Sequence, residues 1–196
     1  MILYFDTETT GLKPGQICQL SYIMQDCFGE ISKNYFFTVD SVEYSAYLVH
    51  GFSVQKLYYL SSGKRFSDFI TEIAYDFASA DLIVAHNIDF DLSFMRAEFE
   101  RAGVNLKYKN AVCSMKTAVP VCKLPRSRGV GYKYPKLGEL YNHFAVSDCD
   151  IVEQELNLFA ESTSAHDARY DTTALCLCFK KAIETCAEFS NFKEYL

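Results

Sequence analysis

The sequence predicts an α/β fold: a five-stranded mixed sheet flanked by helices, in which an antiparallel meander is followed by parallel strands. Three observations carry this. Three extended, apolar-rich segments near the N-terminus are joined by short turns. The wholly apolar run Leu82-Ile83-Val84-Ala85 has the composition of a central parallel strand. Helical patterns precede and follow that run, as a parallel crossover requires.

In chain order, residues 1 to 5 read as a buried strand, 17 to 26 as a second and 30 to 39 as a third, with Cys27-Phe28-Gly29 as the turn between the last two. Ser45 to Ser53 and Val54 to Leu60 read as short helical pieces around His50-Gly51. Phe66 to Ser79 places apolar residues at 66, 69, 70, 73, 74 and 77, the spacing of an amphipathic helix. After the strand at 82 to 85, a helix is expected from about Asp91 to Ala102, and Val112 to Met115 offers a fifth strand. The stretch through Pro120, Pro125, Gly129 and Gly131 reads as loop. A helix follows at 136 to 144, then a connecting region near 148 to 162 and a last helix from about Ala168 to Glu188.

At 196 residues, 49% apolar and without low-complexity tracts or repeats, the chain is expected to form one domain, 1–196. Met1 to Asp6 has neither the basic start nor the apolar length of a signal peptide, and no run approaches the ~20 apolar residues of a membrane span. A cytoplasmic protein with no membrane contact is expected. The eight cysteines form no CxxC pair and no zinc spacing with histidine, so free thiols are expected.

The net charge of −6 is unevenly distributed. No acidic residue lies between Glu100 and Glu139, whereas that interval holds nine lysines and arginines, among them Lys123, Arg126 and Arg128. Such asymmetry suits a phosphate-facing surface on an acidic body. A solvated basic loop without a partner is the alternative.

Three segments concentrate polar chemistry. Asp6 and Glu8 follow the first strand at i and i+2, which in extended backbone sets both carboxylates on one face; they repel unless a hard divalent cation joins them. A solvated turn would use the same residues. After the central strand, Asp89 and Asp91 compete for a place at the ligand-binding end of the sheet, Asp89 also being a possible helix cap. At the opening of the last helix, His166 and Asp171 are five residues apart, about 140° around a helix. His166 is therefore expected on the preceding loop, over a metal held by Asp171.

FDTETTGL (5–12), VAHNIDFDLSF (84–94) and HDARYDTTAL (166–175) together resemble the three exonuclease motifs of the DEDDh, or DnaQ-like, family. The TETTGL form is most similar to the proofreading subunit of bacterial replicative polymerases and its stand-alone relatives. LVHGFSVQKL (48–57) and YPKLGELYNHF (134–144) resemble further family segments, so the resemblance spans most of the chain. It implies a ribonuclease H-like fold and a 3′-to-5′ exonuclease with two divalent ions, Mg²⁺ or Mn²⁺, held by Asp6, Glu8, Asp91 and Asp171. His166 takes the position of the general base, while Asp89 and Asp167 fall on variable positions. Thr9, Thr10, Gly11 and Leu12 match the loop against the terminal nucleotide. His50, Asn87, Phe90 and Phe94 are further candidate contacts, the aromatics (with Tyr132) for stacking if they are not core.

The expected substrate is nucleic acid: single-stranded DNA or a 3′ overhang in replication or repair, with RNA trimming by the same chemistry as the alternative and an inactive binding module as a third reading. Gln154-Glu155-Leu156-Asn157-Leu158-Phe159 is similar to the peptide with which replication proteins dock on a sliding clamp, which would add a clamp or polymerase contact; an ordinary partly apolar helix is the other reading.

Overall fold

A computed structural model of the chain describes all 196 residues. The meander forms β1 (Ile2–Thr9), β2 (Ile17–Asp26) and β3 (Gly29–Phe36), paired antiparallel. Two short helices, α1 (Tyr44–His50) and α2 (Val54–Leu60), lead to a 3₁₀ turn at Phe66–Phe69 that runs into α3 (Ile70–Ser79). Next come β4 (Leu82–Ala85), α4 (Ile88–Arg101) and β5 (Ala111–Cys113), with both strands parallel to β1. The sheet order is β3-β2-β1-β4-β5, and its antiparallel meander followed by parallel strands is the arrangement the sequence pattern predicts.

Alternation along β1 divides the core into two layers. Ile2 and Tyr4 face one layer with α9 (Ala168–Thr185), while Leu3 and Phe5 face the other with α3 and α4. β1 outruns its parallel partner: the β1–β4 pairing ends at Tyr4↔Val84, whereas β2 accompanies β1 to Thr9. From Asp6 onward one edge of β1 therefore lies beyond the C-terminal end of β4. In open α/β sheets that crevice is where ligands bind.

Two expected irregular regions are helical. Between β5 and the basic loop lie α5 (Ser114–Thr117) and α6 (Val119–Cys122), with Pro120 in the first turn of α6, where its missing N–H costs nothing. Further on, α7 (Leu137–His143) is followed not by a long connection but by α8 (Asp148–Phe159). The signal was a capping box: Ser147 Oγ accepts from Asp150 N, and Asp150 returns its carboxylate to Ser147 N.

The helix α8 contains the segment that resembles a clamp peptide. Gln154 donates to Glu30 on β3, Glu155 is fully buried, and Leu158 and Phe159 pack on the core. Of the segment's apolar side chains only Leu156 stands exposed.

The basic segment is arranged differently from its sequence appearance. Arg101, Lys109, Lys116 and Lys133 pair with Glu98, Asp81, Asp89 and Glu139, leaving Lys107, Lys123, Arg126, Arg128 and Lys136 exposed and without carboxylate partners. Residues 124–133 close on themselves, with Lys133 N donating to Leu124 O and a Pro125–Tyr132 bridge. Gly129 and Gly131 supply the positive φ at the tip. All eight cysteines are free thiols, and no helix is long and apolar enough to cross a membrane.

Candidate active site

Asp6 and Glu8 continue the Ile2/Tyr4 face of β1 into the crevice, and Asp171 enters from the first turn of α9, which packs on that face. Oxygens of Asp6, Glu8 and Asp171 lie within 4.8 Å of one another. Asp91 arrives from the other layer, in the first turn of α4, where Thr7 holds it with a backbone N–H at 3.2 Å and a hydroxyl at 2.7 Å. Thr7 is a residue that the sequence reading passed over. Its signal was its place between the two motif-one carboxylates, pointing to the opposite face.

All four carboxyls titrate above their ordinary range. For Asp6 burial is the main cause, followed by the charges of Asp91, Asp171 and Glu8. Burial also raises Glu8, with Asp171 and Asp167 adding to it. Burial raises Asp91 against the Thr7 hydrogen bonds, and Asp171 against the nearby His166. No lysine or arginine pairs with any of the four. A buried cluster of like charges without a counter-cation is an unstable arrangement alone and a fitting one for divalent ions, whose preferred donors are carboxylate oxygens.

His166 sits on the turn before α9 with φ +69°, exposed, its side chain free of hydrogen bonds and its backbone N donating to Asp171 Oδ2 at 3.2 Å. This is the loop position expected for it. Asp167 is occupied elsewhere: it caps α9 and forks onto Arg169. Asp89 pairs with Lys116 and so does not displace Asp91, and it is Asn87, not Asp89, that takes the cap position of α4.

Beside Glu8 opens a cavity of 320 Å³. Thr9, Gly11, Leu12, His50 and Phe90 line it, joined by Ser45, Ala46 and Val49 of α1, which sequence reasoning missed. His50 is buried, with Nδ1 accepting from Phe52 N and Nε2 set against Thr9 O at 3.2 Å. Burial lowers its pKa, so a neutral ring pins the end of β1 to α1. The remaining candidates lie outside the cavity. Thr10 closes a turn by bonding Gln16 in both directions, and Asn87 stands exposed at a left-handed φ of +73°. Phe94 is fully buried behind Phe90 and cannot stack on a base, a correction that follows from its helical register facing the core. Tyr132 is open to solvent on the basic hairpin. Lys123, Arg126 and Arg128 lie on or beside that hairpin, whose base His86 fastens to the end of β4 by donating to Pro135 O at 3.0 Å.

No family model and no curated protein matches the sequence. Solved structures do. A product-bound exonuclease I aligns with 98% of this chain at TM-score 0.74 and 18% identity. The fold is that of exonuclease I. An E. coli exonuclease I in complex with a dA16 oligonucleotide gives TM-score 0.71 at 18% identity, and exonuclease I from Methylocaldum szegediense 0.72 at 19%. Each alignment covers 97% of this chain. The chain spans less than half the length of these proteins, 42 to 46%. The ribonuclease H-like sheet that the motif resemblance implies is thus the fold observed.

Proposed function

We propose that this chain is a DEDDh-type, metal-dependent 3′-to-5′ exonuclease domain that releases nucleoside 5′-monophosphates from the end of single-stranded DNA. The observation that carries the reading is the meeting of Asp6, Glu8 and Asp171 within 4.8 Å, with Asp91 and His166 at the same crevice and a cavity alongside. The motif resemblance and the fold of exonuclease I support it, as does the binding of a dA16 oligonucleotide by one of those neighbours.

Asp6, Glu8, Asp91 and Asp171 would hold the divalent ions. Such ions, Mg²⁺ or Mn²⁺, when bound stabilise negative charge on the attacking and leaving oxygens of an in-line displacement. His166, free of other bonds, takes a proton from the attacking water. A cavity of 320 Å³ is of a size to take one nucleotide, with Thr9, Gly11 and Leu12 against the sugar and base and Phe90 at its wall. A paired end would not enter it without unpairing, hence the preference for a single strand.

The deciding experiment is degradation of end-labelled DNA and RNA, single- and double-stranded, with Mg²⁺ or Mn²⁺ and with excess EDTA. Stepwise shortening of single-stranded DNA from the 3′ end, abolished by EDTA, is expected. Faster loss of RNA would move the substrate to RNA; equal activity in EDTA would remove the metal chemistry, and no degradation at all would leave a binding module.

A further inference from the structure

We infer that Gln19 and Glu155, two fully buried polar residues on β2 and α8, are positioning residues that hold the His166 loop over the carboxylates; this rests on the reading of His166 as the base. The loop 160–167 joins α8 to α9 and has positive φ at both Ala160 and His166, so its backbone needs outside restraint to keep one shape. His166 itself supplies none through its side chain. The restraint comes from two anchors that bracket it.

On the C-terminal side, Gln19 uses its whole amide. Nε2 donates to Asp167 Oδ1 at 2.8 Å and to Asn34 Oδ1 at 2.9 Å, and Oε1 accepts from Ala168 N at 3.1 Å. Gln19 is also the cross-strand partner of Glu8. A single side chain therefore sets the distance between a candidate ligand strand and the residue after the base. Aspartate, glutamate or an apolar residue could not make these three bonds, because the site needs two donors and one acceptor.

On the N-terminal side, Glu155 accepts from Thr163 N at 2.8 Å and from the Thr163 hydroxyl. No cation pairs with it. Burying a carboxylate without a counter-ion is costly, and an apolar residue would pack between α8 and α9 more cheaply. What the carboxylate gains is the loop: both hydrogen-bonding groups of Thr163, three residues before His166. The sequence signal for each anchor was a polar residue at an inward position of an apolar element.

The test uses Gln19→Met and Glu155→Gln, with Thr163→Val as a loop-side variant that changes a partly exposed residue and leaves the buried carboxylate in place. Each is made in the wild type and in His166→Ala. Single-turnover cleavage of an end-labelled single strand with Mn²⁺ is measured, along with KM and Mn²⁺ binding to the protein alone. In the wild-type background the rate should fall about 10- to 100-fold, the loss expected when a catalytic group is displaced by about 1 Å. KM and Mn²⁺ affinity should hold. In the His166→Ala background the same changes should cost almost nothing further, since they act only through the histidine. Equal losses in both backgrounds, or none in either, would overturn the inference while leaving the exonuclease reading intact. A wild type that shortens no strand, or a His166→Ala variant as active as wild type, would instead strike the reading beneath it.

Discussion

Asp171 illustrates at the residue scale how a site can oppose the stability of the protein that carries it. It lies with Asp6 and Glu8 in one largely buried space, where burial is the main force pushing all three carboxyls toward the neutral form and the Asp171 charge adds to it at Asp6 and Glu8. Replacing Asp171 with asparagine removes one charge and keeps the shape. In metal-free buffer the variant should melt higher than wild type, by about 1 kcal/mol at the midpoint, against the usual direction for a point mutation. Adding Mn²⁺ should reverse the order: the wild type gains about 2.7 kcal/mol at a hundredfold excess over the dissociation constant, and the variant far less. Strand degradation by the variant should fall at least about a hundredfold. Thermal melts with and without Mn²⁺ check the first two outcomes. A lower metal-free melting point for Asp171→Asn would show that the cluster is not repulsive.

At the scale of elements, His86 joins two of them. It follows β4, accepts from Ser114 Oγ at 2.9 Å on Nδ1 and donates from Nε2 to Pro135 O, at the base of the basic hairpin. Burial holds its pKa down to about 4, so the ring is neutral in the fold. The unfolded chain takes up a proton as pH falls through about 6.5, while the folded chain resists until about 4. Stability is therefore lost as pH falls across that window, by about 3 kcal/mol in total from this residue. His86→Gln should flatten the change in urea midpoint between pH 6.5 and 4 relative to wild type; an unchanged slope would place the acid sensitivity elsewhere.

How far the sequence reveals these elements depends on whether their determinants are local. The strands of the sheet and the helix α9 were legible, because period-two and period-3.6 patterns are written in neighbouring residues. β2 matches its expected range, while β1 runs four residues past it because Asp6 to Thr9 are polar yet still pair with β2. The helix α8 was missed although Ser147-Asp148-Cys149-Asp150 spells its cap, since its apolar stripe is interrupted by the buried Glu155. Asp6, Glu8, Asp91, Asp171 and His166 were legible as motif positions. Thr7, Gln19 and Glu155 were not, because each acts through a partner at least eight residues away, a pairing that only the folded chain displays.

For the whole molecule, the proposed function makes charge the factor that decides how a strand is gathered. The chain carries −6 overall, and the carboxylate crevice would repel a phosphate backbone without its ions. Of the nine cations between Glu100 and Glu139, four are neutralised by neighbouring carboxylates, so the attraction falls to those left free. Lys123, Arg126 and Arg128 stand exposed on or beside a hairpin fastened to the same end of the sheet as the crevice. A single strand running from the cavity across that hairpin would release about 0.7 counterions per phosphate it places against a cation. The triple replacement Lys123→Ala, Arg126→Ala, Arg128→Ala should therefore weaken oligonucleotide binding and lower the slope of log K against log salt by about 2. The rate constant for cleavage at saturating strand should change little, since none of the three lies at the carboxylates. Binding is measured by anisotropy with a labelled oligonucleotide in Ca²⁺ over a range of salt. A slope that stays at the wild-type value would mean that the strand leaves the cavity in another direction, away from the exposed cations of this hairpin.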